Sequence, residues 1–230
     1  MSKQKYSFIA SSIMILMVSV IASAQRVSDT EIAGGLKEAL TKGVSTAIKS
    51  LGKENGFLGN VRVKIPLPSS IQKLEKGLRL AGQGKAVDDF VASMNHAAEK
   101  AVPVAFDVFV DAIKKMTFDD ARKILFSGED DSATKFFRKS SEETLRGKFR
   151  PIVEEFTAKT GVTQNYKTMI GKAGFAAQFL GKDATDLDGY VTQKALDGLF
   201  LLVADEEKKI RKDPIGRTTD LLRKVFGGIR

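Results

Sequence analysis

The chain of 230 residues has no cysteine, no tryptophan and a single histidine, His96. Without cysteine there are no disulfides, no thiol nucleophile and no thiolate ligand, even in an oxidising compartment. With one imidazole, a transition-metal site would need carboxylates almost alone, a donor set that suits calcium or magnesium better than zinc. Acids are also scarce: 28 Asp and Glu face 37 Lys and Arg, for a formal charge of +9.

Recognisable catalytic and nucleotide motifs are missing as well. No G-x-S-x-G turn presents a serine, so His96 has no nucleophile to activate. Gly82-Gln83-Gly84 lacks the third glycine of G-x-G-x-x-G, and no Gly-Lys pair has a glycine five residues before it, so neither phosphate-cradling loop is present. In "DATDLDGY" an EF-hand alignment puts Ala184 at the first ligand position and Ala195 at the bidentate position, and it fails at both ends. Asp186 reads instead as a helix N-cap, with Asp188 in the first turn. No catalytic residue, metal site or cofactor is expected.

What is there begins at the N-terminus. Lys3 and Lys5 precede an apolar run from Phe8 to Val20, and Ala22-Ser23-Ala24 has the small-x-small form of a signal-peptidase site. Residues 1–24 are expected to be a cleaved signal peptide, leaving Gln25 first. An uncleaved anchor is the competing reading, but the run is short against the roughly 20 residues of a span. After cleavage no integral span is expected, and loss of Lys3 and Lys5 takes the charge from +9 to +7. In an exported chain that excess points away from nucleic acid, towards anionic lipid, lipopolysaccharide, peptidoglycan or an acidic protein. A solvated basic surface with no dedicated partner remains open beside it.

From residue 25 to 230 the apolar period is helical almost throughout, and the expected fold is one all-α domain of roughly eight or nine helices. Ser28 with Glu31 reads as a capping box before Ile32, Leu36, Leu40, Val44, Ile48 and Leu51. Helices are expected to resume after Ser69, to break at Gly82-Gln83-Gly84 and Pro103, to open at Thr117 with Asp120 and at Asp131 or Ser132, to bend at Pro151, and to run from Leu187 to about Lys212. A short helix with Leu221, Leu222, Val225 and Phe226 is expected last. The exception is "VRVKIPLP" at 61–68, which follows an Asn55-Gly56 turn. Val61, Val63, Ile65 and Leu67 alternate with Arg62, Lys64, Pro66 and Pro68, which reads as an extended arm or edge β-strand.

The segments "VKIPLP", "MNHAAEKAVP", "AIKKMTFDDARKIL", "YVTQKALDGLF", "EEKKIRKDP" and "LLRKVFG" together resemble bacterial domain-of-unknown-function family 4197, in order along nearly the whole chain after residue 24. The resemblance implies an exported, mainly helical envelope protein of Gram-negative-type bacteria, in the periplasm or peripheral to the membrane, with no established activity. It also implies an arginine at the position of His96.

Polar groups at helical spacing supply the candidate contacts. Asn95 and Glu99 lie beside small alanines; Glu207 and Arg211 form an i, i+4 pair; Tyr190, Lys194 and Asp197 share one face of the last long helix; Arg62 and Lys64 project from the arm. His96 and Glu99 read as a weak surface pair. The leading expectation is a non-catalytic periplasmic module contacting an envelope protein or anionic envelope component, with arm residues Ile65 and Leu67 anchoring and Arg62 and Lys64 offering an edge or an anionic contact. Two alternatives stay open. One is a helical carrier of a small, lipid-like apolar ligand inside the phenylalanine-rich core, the other a carboxylate-dependent hydrolase in which Glu99, Asp120 and Asp197 converge.

Overall fold

In a computed structural model of the chain the described residues are 29–161, 166 and 185–212. The expected signal peptide, Ser28 of the first capping box and the expected last helix lie outside them. The described elements are α1 (Asp29–Leu51), a 3-10 turn (Ser69–Ile71), α2 (Gln72–Leu80), α3 (Gly84–Ala101), a second 3-10 turn (Val102–Val104), α4 (Ala105–Lys115), α5 (Phe118–Phe126), α6 (Ser132–Lys159) and α7 (Leu187–Lys212). The fold is therefore all-helical, and the described residues do not reach eight helices.

Glycine and proline set most of these boundaries. α1 stops before Gly52, and Gly82 and Gly128 follow α2 and α5 with φ of 80° and 73°, a region that L side chains seldom enter. Pro103 sits in the 3-10 turn that separates α3 from α4. Thr117 and Asp120 make the expected capping box, each binding the other's backbone N–H. The Thr117 hydroxyl, and after it the Thr117 N–H, donate to Asp120 Oδ2 and hold that carboxyl below its ordinary value. Pro151, where a bend is expected, lies inside α6, which continues across it as one helix of 28 residues.

α7 is the centre of the molecule, packed against α1, α3 and α6. Val191, Ala195, Leu196, Leu199, Phe200 and Val203 bury most of its circumference, as a helix enclosed on several sides requires. Phe109 of α4 meets Phe137 of α6 edge-on at 5.4 Å and Phe200 of α7 at 5.9 Å, which fixes three helices at one aromatic junction.

The arm differs from its expected form in two ways. It pairs with no strand among the described residues, and its first residues form a turn: the Asn60 carbonyl accepts from the N–H of Val63 and Lys64, and the Asn60 side chain accepts from that of Arg62. Val61 sits at the corner of this turn and is 92% exposed, so it does not belong to the apolar face. Val63, Ile65 and Leu67 are buried as expected, and residues 64–68 have no regular secondary structure and no ladder. Gly198 of α7 permits the close approach, since a Cβ there would lie 2.7 Å from the Phe57 ring and 3.2 Å from Val63.

Candidate functional site

Asn95 and Glu99, one turn apart on the buried face of α3, hold the backbone of the arm and of the turn that leads into it, respectively. Asn95 Oδ1 accepts the Ile65 N–H at 2.8 Å, while its Nδ2 donates to the Ile65 carbonyl at 2.9 Å and to the Val91 carbonyl at 2.8 Å. The side-chain amide thus replaces the neighbouring strand that the arm lacks. Glu99 Oε1 accepts the N–H of Phe57 at 3.0 Å and of Leu58 at 3.2 Å, and Oε2 lies 2.8 Å from His96 Nδ1. From α7 the Tyr190 hydroxyl donates to the Pro66 carbonyl at 2.9 Å. A loop without a ladder must have its buried polar groups satisfied by side chains, and these three residues do so.

The sequence expectation of a His96–Glu99 surface pair is corrected here. Glu99 is buried, and the half-buried His96 completes a set of three partners around its carboxylate. The imidazole of His96 thus serves a structural carboxylate.

The other expected contacts divide in the same way. Arg62 projects from the arm but forks onto Asp205 of α7, and this contact raises its already high pKa. Lys64 is exposed at the rim of a cleft of about 520 Å³ beneath α2, where Arg79 is already held by Glu75 and Asp88. Asp197 binds Arg138 at 3.2 Å and Gln193 at 3.1 Å. Arg211 and Glu207 are a partly buried junction. Glu207 accepts the N–H of Ala133 and Thr134 and so caps α6, where Asp131 makes no side-chain cap; Arg211 binds Glu207, Ser132 and the Ile124 carbonyl that ends α5. Glu99, Asp120 and Asp197 are thus each engaged in a different local structure.

Tyr190 and Lys194 do meet at an open concavity, a groove of about 450 Å³ between α6 and α7. Its α6 wall carries Arg146 and Arg150, which the sequence pattern did not single out. Arg150 forks onto Asp186 at 3.1 Å through both Nη atoms and also binds Glu154, while Arg146 lies beside Glu142 and Glu143. Asp186 is the N-cap of α7 as expected, its Oδ1 accepting the Gly189 N–H at 3.0 Å. Asp188, expected as a first-turn charge, is buried and accepts from the Thr157 hydroxyl at 2.7 Å. Lys194 Nζ stands 5.7 Å from the centre of the Tyr190 ring and forms no ion pair among the described residues. Among those residues no group of three or more His, Asp or Glu is arranged to hold a metal ion, and no helix is long and apolar enough to cross a membrane.

Fold and site together define a class: an all-helical module with a non-helical arm strapped across it by buried polar side chains, and a groove edged with cations on its flank. The chain belongs to the family described as protein of unknown function (DUF4197), whose model matches residues 26–227. No curated protein and no solved structure matches it.

Proposed function

We propose that the protein is an exported, non-catalytic binding module of the cell envelope that holds an anionic group of an envelope component in the groove between α6 and α7. Export rests on the basic, apolar and A-x-A pattern of residues 1–24. The observation that carries the binding site is Lys194, an exposed ammonium with no carboxylate partner among the described residues, beside two guanidinium groups already held in place. Arg146 and Arg150 are held by Glu142, Glu143, Glu154 and Asp186, so they lose little rotamer freedom when a carboxylate or phosphate meets Lys194 beside them. The arm supports the groove instead of forming the contact, because Ile65 and Pro66 have their backbone groups satisfied within the chain.

Sedimentation with peptidoglycan sacculi and titration with lipopolysaccharide test this reading. At least one of the two is expected to bind with a dissociation constant that rises steeply with salt. Lys194→Glu combined with Arg146→Glu is expected to weaken that binding by about tenfold or more, the scale of a lost charge-assisted contact. Binding unchanged in the double variant, or seen with neither material, contradicts the reading.

A further inference from the structure

Outside the groove, the corner between α4 and α5 combines features that a water-facing surface does not require. Phe118 and Phe126 are 54% and 58% exposed, whereas Phe57, Phe109, Phe137, Phe149 and Phe200 are fully buried. With Arg122 between them they recur at i, i+4 and i+8, so the three lie on one stripe of α5 spanning roughly 80° of its circumference. Lys123 flanks the stripe, and Lys114 and Lys115 occupy the last turn of α4 just before it; all three are exposed. Three acids oppose this charge: Asp119 beside the stripe, Asp111 one turn back on α4, and Asp120, which keeps its charge within the capping box. Glu129, Asp130 and Asp131 beyond the end of α5 are paired with Lys135, Lys208 and Lys212.

The stripe is also held in place. Ala121, Ile124 and Leu125 bury the adjoining face of α5; Thr117 caps its start, and the Ile124 carbonyl at its end receives Arg211 and Ser132. A preformed helix face that carries aromatics among Lys and Arg is suited to the boundary between headgroups and acyl chains, where rings partition into the interface and cations meet anionic lipid.

We propose that the α4–α5 corner docks the protein on an anionic lipid surface, with Phe118 and Phe126 entering the interface and Lys114, Lys115 and Lys123 contacting headgroups. The occupant is lipid because the patch pairs exposed rings with an excess of cations, Lys114, Lys115, Arg122 and Lys123 against Asp111, Asp119 and Asp120, and that balance favours an anionic bilayer over a second copy of this basic chain. The surface shares no residue with the α6–α7 groove, so the two proposals stand or fall separately.

The test is co-sedimentation of the purified protein with vesicles of phosphatidylcholine alone or mixed with phosphatidylglycerol. Binding is expected only to the mixed vesicles, to fall by about tenfold or more in Phe118→Ser/Phe126→Ser and in Lys114→Glu/Lys115→Glu, and to be retained in Lys194→Glu. The serine variant is expected to stay folded, with a melting temperature within about 2 °C of the parent, as exposed substitutions usually do. Equal binding by the serine variant, or equal binding of the parent to uncharged vesicles, overturns the proposal. So does a melting temperature lowered well beyond that range, which would mean that the chain's own residues cover the stripe, or a change in oligomeric state, which would mean that a second copy does.

Discussion

Glu99→Ala is expected to lower the stability of the fold by about 3 kcal/mol, measured by urea unfolding. The carboxylate accepts two backbone N–H groups, those of Phe57 and Leu58, from a loop more than forty residues away, and the first of these is buried. Alanine leaves both donors without an acceptor, and a buried unsatisfied group costs about 1 to 3 kcal/mol. Glu99→Gln keeps an oxygen at the Oε1 position and is expected to cost less, about 1 kcal/mol. His96→Arg is expected to stay within about 0.5 kcal/mol, because a guanidinium can donate to Oε2 as the imidazole does. A Glu99→Ala protein as stable as the parent would remove Glu99 from the clamp and restore it as a candidate for chemistry.

The second large effect is at Ile65, for which alanine is expected to cost about 2 to 4 kcal/mol. Ile65 is fully buried within the continuous core although it belongs to no helix, and its removal leaves a cavity under a segment whose backbone is pinned on both sides and cannot collapse into it. Val61→Ala is the control. The same alternation that marks Ile65 also marks Val61, but the turn at Asn60 places Val61 in water, and its truncation is expected to change stability by less than about 0.5 kcal/mol. Equal losses at the two positions would mean that the whole stretch packs as one regular strand.

These contrasts show what could be read from the sequence and what could not. The C-terminal end of α1, both ends of α3 and α5 and the start of α7 were legible because glycine, proline and capping pairs act within a few residues, as Thr117 with Asp120 and Asp186 with Gly189 do. Val61 was not, since a period of two looks the same whether the first residue lies in an extended segment or at the corner of a turn. Asn95, Glu99, Tyr190 and Arg211 were recognisable as polar groups with small or charged neighbours, yet their roles come from partners 30, 42, 124 and 87 positions away. No local pattern carries that information. Arg146 and Arg150 left a weaker trace: a row of arginines and glutamates at i, i+4 along α6 reads as ordinary surface until α7 supplies the facing Asp186 and Lys194.

The central claim is that the buried polar side chains of α3 are there to hold the arm. It is tested most directly by hydrogen exchange at the Ile65 amide, in the native protein and in Asn95→Ala. In the native protein this amide is expected to exchange as slowly as that of Leu199 in the core of α7, because it donates to Asn95 Oδ1 in a fully buried setting. In Asn95→Ala it is expected to exchange at least about tenfold faster relative to Leu199, as the arm opens without the helices. An Ile65 amide that keeps its protection relative to Leu199 when Asn95 is gone would contradict the claim.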